Sequence, residues 1–129
     1  MLRVLIVDDE DDVVESMGML LEAWGHTIFP AFSGSQALAL AEQHQPDAVL
    51  LDLGLPDLDG CDVARRLRQV PGMEGALILS ISGYGQDEHR RRALDAGCDR
   101  HLTKPVPFDE VETLLAEHAT KQAGAAPLL

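Results

Sequence analysis

The stretch Ala48-Val49-Leu50-Leu51-Asp52-Leu53-Gly54-Leu55-Pro56 is an apolar run that stops abruptly on an acid. Four apolar residues in a row, with no polar alternation, suit a strand buried on both faces of a parallel sheet. Two runs of the same kind lie on either side of it. Val4-Leu5-Ile6-Val7 ends in Asp8-Asp9, and Ala76-Leu77-Ile78-Leu79 ends in Ser80-Ile81-Ser82-Gly83. Weaker strand patterns fall at residues 27–29 and 100–103.

The segments between these runs have helical periodicity. Residues 11–24 carry Met17, Leu20, Leu21 and Trp24 as a core face, and Gly25 stops them. Residues 33–44 open on Ser33, a cap candidate, and close before Pro46. Shorter helices are expected at 62–70, ended by Pro71-Gly72, and at 87–96, ended by Gly97; a last one spans 108–118. Strands alternating with helices predict an α/β fold, a parallel sheet covered on both faces by right-handed crossovers. At this size the flavodoxin-like, doubly wound order 2-1-3-4-5 is expected, with five strands and five helices.

The 129 residues suit one domain with a full core. Hydrophobic residues at 46% and charged residues at 25% fit a soluble globular chain. Asp and Glu number 22 against 10 Lys and Arg, a formal net charge of -12. Such a surface repels nucleic-acid phosphates and anionic lipid but tolerates cations, so direct nucleic-acid or membrane binding by this domain is not expected. Cys61 and Cys98 stand far apart, in neither a disulfide nor a zinc pattern, and read as small buried hydrophobes in a reducing compartment. No apolar stretch has the length of a membrane span, and Met1 leads straight into a strand with no cleavage signal. A cytoplasmic location is the expectation. Residues 1–119 form the expected domain, and the Ala-rich stretch 120–129 reads as a flexible tail or the start of a linker.

In a parallel sheet all strands end at one edge, and ligands bind there. Asp8 and Asp9 follow the first strand, Asp52 ends the third, Ser82 follows the fourth and Lys104 the fifth. Three crowded carboxylates repel one another unless a cation compensates, and hard oxygen ligands with room for water suit Mg²⁺. Asp8 to Asp12 also suit the first turn of a helix, so the acidic run by itself leaves both readings open. Asp52 has no capping task, and it favours the metal reading. Lys104, otherwise a surface charge, could grip a phosphoryl oxygen, and the Ser82 hydroxyl could donate to another. The loop Ser82-Gly83-Tyr84-Gly85 leaves space for that approach.

The set Asp8-Asp9, Asp52, Ser82 and Lys104-Pro105, at this spacing, resembles the response-regulator receiver family over residues 3–119. The stretch from Gly83 through Arg90-Arg91-Arg92-Ala93 to His101-Leu102-Thr103-Lys104-Pro105 looks most like receivers attached to hybrid histidine kinases. Part of the expectation for strand order rests on this resemblance. It implies that Asp52 takes a phosphoryl group from the phosphohistidine of a histidine kinase or histidine phosphotransfer domain. It implies Mg²⁺ held by Asp9, by Asp8 through water, by Asp52 and by the Gly54 carbonyl. Lys104 would bridge the phosphoryl group, and Pro105 would follow a cis peptide bond. An output or kinase domain could complete a longer parent chain.

Two positions depart from the family's common pattern. Ser82 stands where Thr is usual, and His101 where an aromatic ring usually swings inward, so these two form the expected switch pair. An exposed, inert His101 is the competing reading. Val13, Val14 and Pro105 border the rim and are expected to dock a partner helix, although the valines equally suit core packing. A phosphoaspartyl hydrolase of the haloacid-dehalogenase type would need an Asp-x-Asp motif after the first strand, which Val7-Asp8-Asp9-Glu10 does not supply. A receiver-shaped interaction module that is never phosphorylated is the remaining alternative.

Overall fold

A computed structural model of the chain describes residues 2–83 and 87–124. Its elements alternate: β1 (Arg3–Val7), α1 (Asp11–Ala23), β2 (Thr27–Ala31), α2 (Gly34–His44), β3 (Ala48–Asp52), α3 (Gly60–Gln69), β4 (Leu77–Ser82), α4 (Asp87–Asp95), β5 (Arg100–Thr103) and α5 (Phe108–Gly124). The strands form one parallel sheet in the order β2-β1-β3-β4-β5, as expected.

The continuous apolar runs are explained by two cores. Leu5, Val7, Val49, Leu51 and Ile78 face Ala37, Ala41, Val63, Leu67 and Ala93 of α2, α3 and α4. The alternate residues Val4, Ile6, Leu50, Leu79 and Ile81 face Val14, Met17 and Leu21 of α1 and Val111 and Leu115 of α5. Because side chains alternate across a strand, every strand position meets apolar atoms on one side or the other. Cys61 and Cys98 are both buried free thiols.

Four local readings need correction. The core face of α1 is Val14, Met17, Gly18 and Leu21, while Leu20 is only half-buried. Helix α3 begins at Gly60 rather than residue 62, because Asp59 caps it by accepting the Cys61 N–H at 2.8 Å. Strand β2 continues through Pro30 to Ala31. It is an edge strand, where a residue without an N–H can sit with that position turned to solvent. Helix α5 runs on to Gly124, anchored by Ala119 against the second core and by Gln122 Nε2 donating to Asp47 Oδ1 at 3.3 Å. The expected tail is therefore helical over its first residues, and 125–129 lie outside the described residues.

Arg68 secures the sheet end opposite the acids. Its guanidinium donates to the Gly97 carbonyl at 2.9 Å and the Ala76 carbonyl at 2.6 Å, and pairs with Asp99 at 2.7 Å. Asp99 Oδ2 also accepts the Ile78 N–H at 2.8 Å. One side chain thus joins α3, the start of β4 and the turn into β5. It fixes the frame whose other end carries Ser82 and Lys104.

Candidate functional site

The backbone ladder extends one step past the strand ends. The N–H of Asp8 donates to the Ala31 carbonyl, that of Leu53 to Ile81, and that of Lys104 to Ser82, at 3.1, 3.0 and 2.8 Å. Each residue just beyond a strand is therefore held in the sheet's frame. Asp8, Asp9 and Asp52 each offer a carboxylate oxygen, and these oxygens lie within 4.8 Å of one another. Asp8 and Asp52 are buried and Asp9 is exposed. Lys104 Nζ stands 3.5 Å from Asp52 Oδ2, and the Lys104–Pro105 peptide bond is cis.

The loop after β3 is held at both ends. Asp52 Oδ1 accepts the Gly54 N–H at 3.0 Å. Farther on, Asp57 accepts the N–H of Gly34 at 2.9 Å and the N–H and hydroxyl of Ser35 at 3.0 Å, which clamps the loop to the start of α2. Gly60 packs so closely on Leu53 that an added Cβ would meet the Leu53 backbone and, at 2.8 Å, its Cδ2. Only glycine fits there.

The electrostatics are those of a site short of positive charge. The Asp8 carboxyl is pushed up to about 6, first by burial, against the pull of the Glu10 N–H that donates to it. The charges of Asp52 and Asp9 push it further up, and Lys104 pulls it down. A carboxyl raised in this way favours the fold when protonated. Its contribution is full below the ordinary value of 3.8 and is lost as pH rises through about 6. Several close carboxylate oxygens and one nearby ammonium suit a small hard divalent cation that keeps some of its water. A cation bound there would have to displace the Asp8 proton. Its affinity is therefore expected to weaken by about tenfold for each pH unit below 6, which calorimetric Mg²⁺ titration at several pH values would check.

Asp8, Asp9, Asp52 and Lys104 converge as their sequence positions imply. Gly54 adjoins them through its N–H. Pro105, next to Lys104, is exposed, and Val13 is half-buried against the second core. Val14 is not a surface residue: at 4% exposure it packs with Met17 and Leu21 in the second core, so it drops out of the docking surface. Tyr84 and Gly85 lie outside the described residues. Ser82 is buried, and its Oγ lies 3.0 Å from His101 Nε2. His101 is half-buried rather than exposed, and its Nδ1 also lies 2.7 Å from the Ser80 hydroxyl. Sequence reading missed Ser80. The signal was available: Ser80-Ile81-Ser82 puts two hydroxyls on one face of β4, and Ser80 is in register with His101.

Residues 4–116 match the family described as response regulator receiver domain. The chain is 37% identical over 128 residues to the transcriptional regulatory protein KdpE of Mycobacterium tuberculosis, covering 99% of this chain and 55% of that protein. It is 34% identical over 125 residues to the alkaline phosphatase synthesis transcriptional regulatory protein PhoP of Bacillus subtilis, covering 97% and 51%. The chain thus spans about half the length of these curated relatives. Among solved structures, a CheY-like response regulator receiver domain protein from Methanospirillum hungatei superposes with a TM-score of 0.85. The two are 27% identical, with 95% and 98% of the chains covered.

Proposed function

This chain belongs to the response regulator receiver domain family, and from that premise we propose that Asp52 accepts a phosphoryl group from a phosphohistidine. One observation carries the reading: Lys104 Nζ reaches Asp52 Oδ2 at 3.5 Å inside a cluster of three carboxylates. A lysine aimed at the nucleophile can hold a phosphoryl oxygen as charge moves onto it.

An Asp52 oxygen attacks phosphorus. The new O–P bond forms as the N–P bond breaks, and the electron pair returns to the donor's imidazole. The Gly54 N–H, donating to Oδ1, fixes the carboxylate plane and leaves Oδ2 directed toward Lys104. Asp8, Asp9, Asp52 and the Gly54 carbonyl would hold Mg²⁺. Bound there, the ion supplies charge neutralisation for the carboxylates and for the incoming phosphoryl oxygens. Lys104 grips a second phosphoryl oxygen, and the Ser82 hydroxyl donates to a third. Ser82 and His101 are the proposed switch pair, passing the change toward α4, β5 and α5, the proposed output surface.

The partner is a histidine kinase or a histidine phosphotransfer domain. Val13 and Pro105 border the acids and offer it a small apolar ledge. Val13→Ala is expected to slow transfer from a cognate kinase by roughly three- to tenfold, the loss of about 1 kcal/mol of contact. Labelling by a small phosphodonor should be unchanged, and equal slowing in both assays would refute docking. Among the described residues no helix is long and apolar enough to cross a membrane. We place the domain in the cytoplasm, joined in a longer parent chain to an output domain or to a hybrid histidine kinase. Both relatives are transcriptional regulatory proteins about twice the length of this chain, which supports the output domain.

Acetyl phosphate with and without Mg²⁺, followed by intact mass, tests the reading. A Mg²⁺-dependent phosphoryl adduct is expected. A folded, Mg²⁺-binding protein that takes phosphoryl from neither acetyl phosphate nor a phosphohistidine would instead be an interaction module.

A further inference from the structure

Among the described residues four large hydrophobic side chains are exposed, and two of them, Met19 at 65% and Phe32 at 38%, border one groove. The groove lies between α1 and the edge strand β2 and has a volume of 490 Å³. Asp11, Glu15, Gly18 and Glu22 line its helical wall, and Ile28 and Pro30 line the other. Positions 11, 15, 18 and 22 recur at helical spacing and so share one face of α1, the face turned away from Val13. The groove is thus separate from the ledge offered to the phosphodonor. Phe32 is held ready at its end: the Phe32 N–H donates to Gln36 Oε1 at 2.7 Å, and the Ser33 hydroxyl beside it caps α2. An apolar wall fixed in advance loses little freedom on binding.

The chemistry of the lining selects the occupant. Its ionisable side chains are Asp11, Glu15 and Glu22, all acidic, on a chain whose formal net charge is -12. Nucleic acid and anionic lipid are repelled there. An added strand meets Pro30, which has no amide hydrogen to pair with it. A helix that sets an apolar side chain among cations fits instead.

The chain carries such a helix. Leu94 of α4 is 40% exposed, and Arg90 and Arg91, one turn before it, are exposed as well. Ala93 is buried in the first core and Arg92 is paired with Asp59 at 3.1 Å, which leaves Arg90, Arg91 and Leu94 facing outward. The two arginines outnumber Asp95, the exposed acid beside Leu94. The 9 residues of α4 extend about 13 Å, and the acids from Asp11 to Glu22 span about 16 Å, so the lengths match.

We propose that α4 of one copy docks in the α1–β2 groove of a second copy, with Leu94 against Met19 and Phe32 and with Arg90 and Arg91 toward the groove carboxylates. Two different patches meet, so the association is head-to-tail and every docked pair keeps one groove and one α4 open. A contact this small gives a dissociation constant on the order of 100 µM. Two such acidic copies repel at long range, but at about 0.15 M salt the Debye length is about 8 Å, which screens that repulsion more than the contact pairs. The proposal does not depend on phosphorylation of Asp52.

Sedimentation equilibrium of the intact chain at physiological salt, from well below to well above that constant, tests it. The average mass should climb past twice the monomer mass without levelling there. Met19→Asp spoils the groove and Leu94→Asp spoils the helix face, and both positions are exposed, so far-ultraviolet circular dichroism should be unchanged. Each variant alone should associate about tenfold more weakly, because a charge replaces an apolar contact. An equal mixture should regain the affinity of the unaltered chain and stop at a dimer, since one variant supplies an intact α4 and the other an intact groove. A chain that stays monomeric throughout, a mass that levels at the dimer, or a mixture no better than either variant alone overturns the proposal. Acetyl phosphate labelling of Asp52 is read separately, so the phosphoacceptor reading stands or falls apart from these outcomes.

Discussion

Asp52→Asn is expected to abolish the phosphoryl adduct altogether while the protein stays folded. The amide is a poor nucleophile and cannot form the acyl phosphate, so no residual labelling at this position should remain. Its side-chain oxygen can still accept the Gly54 N–H, now at 3.0 Å, so the loop after β3 keeps its anchor. The variant also removes one of three crowded negative charges. Mg²⁺ affinity should fall by about tenfold or more, since a ligand and a full charge are lost together. The Asp8 carboxyl should relax downward from about 6, because the Asp52 charge is one of the influences holding it up. Intact mass, calorimetry and a carboxyl-carbon NMR titration read these three effects separately. Persistent labelling in this variant would assign the phosphoacceptor elsewhere.

Gly60→Ala should be the most destabilising single-carbon change near the site. The added methyl would meet the Leu53 backbone carbonyl oxygen at 2.9 Å as well as the Leu53 Cα, and backbone cannot rotate aside as a side chain can. Overpacking of this kind costs about 1–3 kcal/mol, and the upper end applies here because the obstructing atoms belong to the main chain. A urea titration should show a lower midpoint with an unchanged slope. Gly75→Ala is the matched control: nothing lies within 4 Å of its added methyl, and the change should stay within about 0.5 kcal/mol. Leu53 follows Asp52 directly, so Gly60→Ala should also slow phosphoryl transfer measured well below the unfolding transition. Normal stability and normal transfer would mean that the close fit of α3 on Leu53 is relieved at no cost.

The strands were legible because burial on both faces leaves an unmistakable mark, as at Val4 to Val7 and Ala48 to Leu51. Element ends were less so. Asp57-Leu58-Asp59-Gly60 reads as a turn, and only the fold reveals that Asp59 caps α3 while Gly60 is required by its neighbour. Helix α5 outran its expected end because its last turns rest on tertiary contacts such as Ala119 and Gln122, which composition does not announce. In the site, Asp8, Asp9, Asp52 and Lys104 could be placed from topology alone, since each follows a strand. Val14 could not be told from Val13 without the helix phase. Its spacing to Met17 and Leu21 puts it inward. Ser80 escaped notice because a serine inside an apolar strand has no meaning until the adjacent strand supplies His101.

Pro30 has a consequence for the protein in a crowded solution. A sheet edge exposes a row of amide hydrogens and carbonyls on which a stray extended chain can polymerise. Strand β2 is one such edge, and proline at its penultimate position removes an amide hydrogen from it. The opposite edge, β5, is only 4 residues long and begins with a charged arginine. Both margins of the sheet therefore make poor templates for edge-to-edge pairing with a second extended chain.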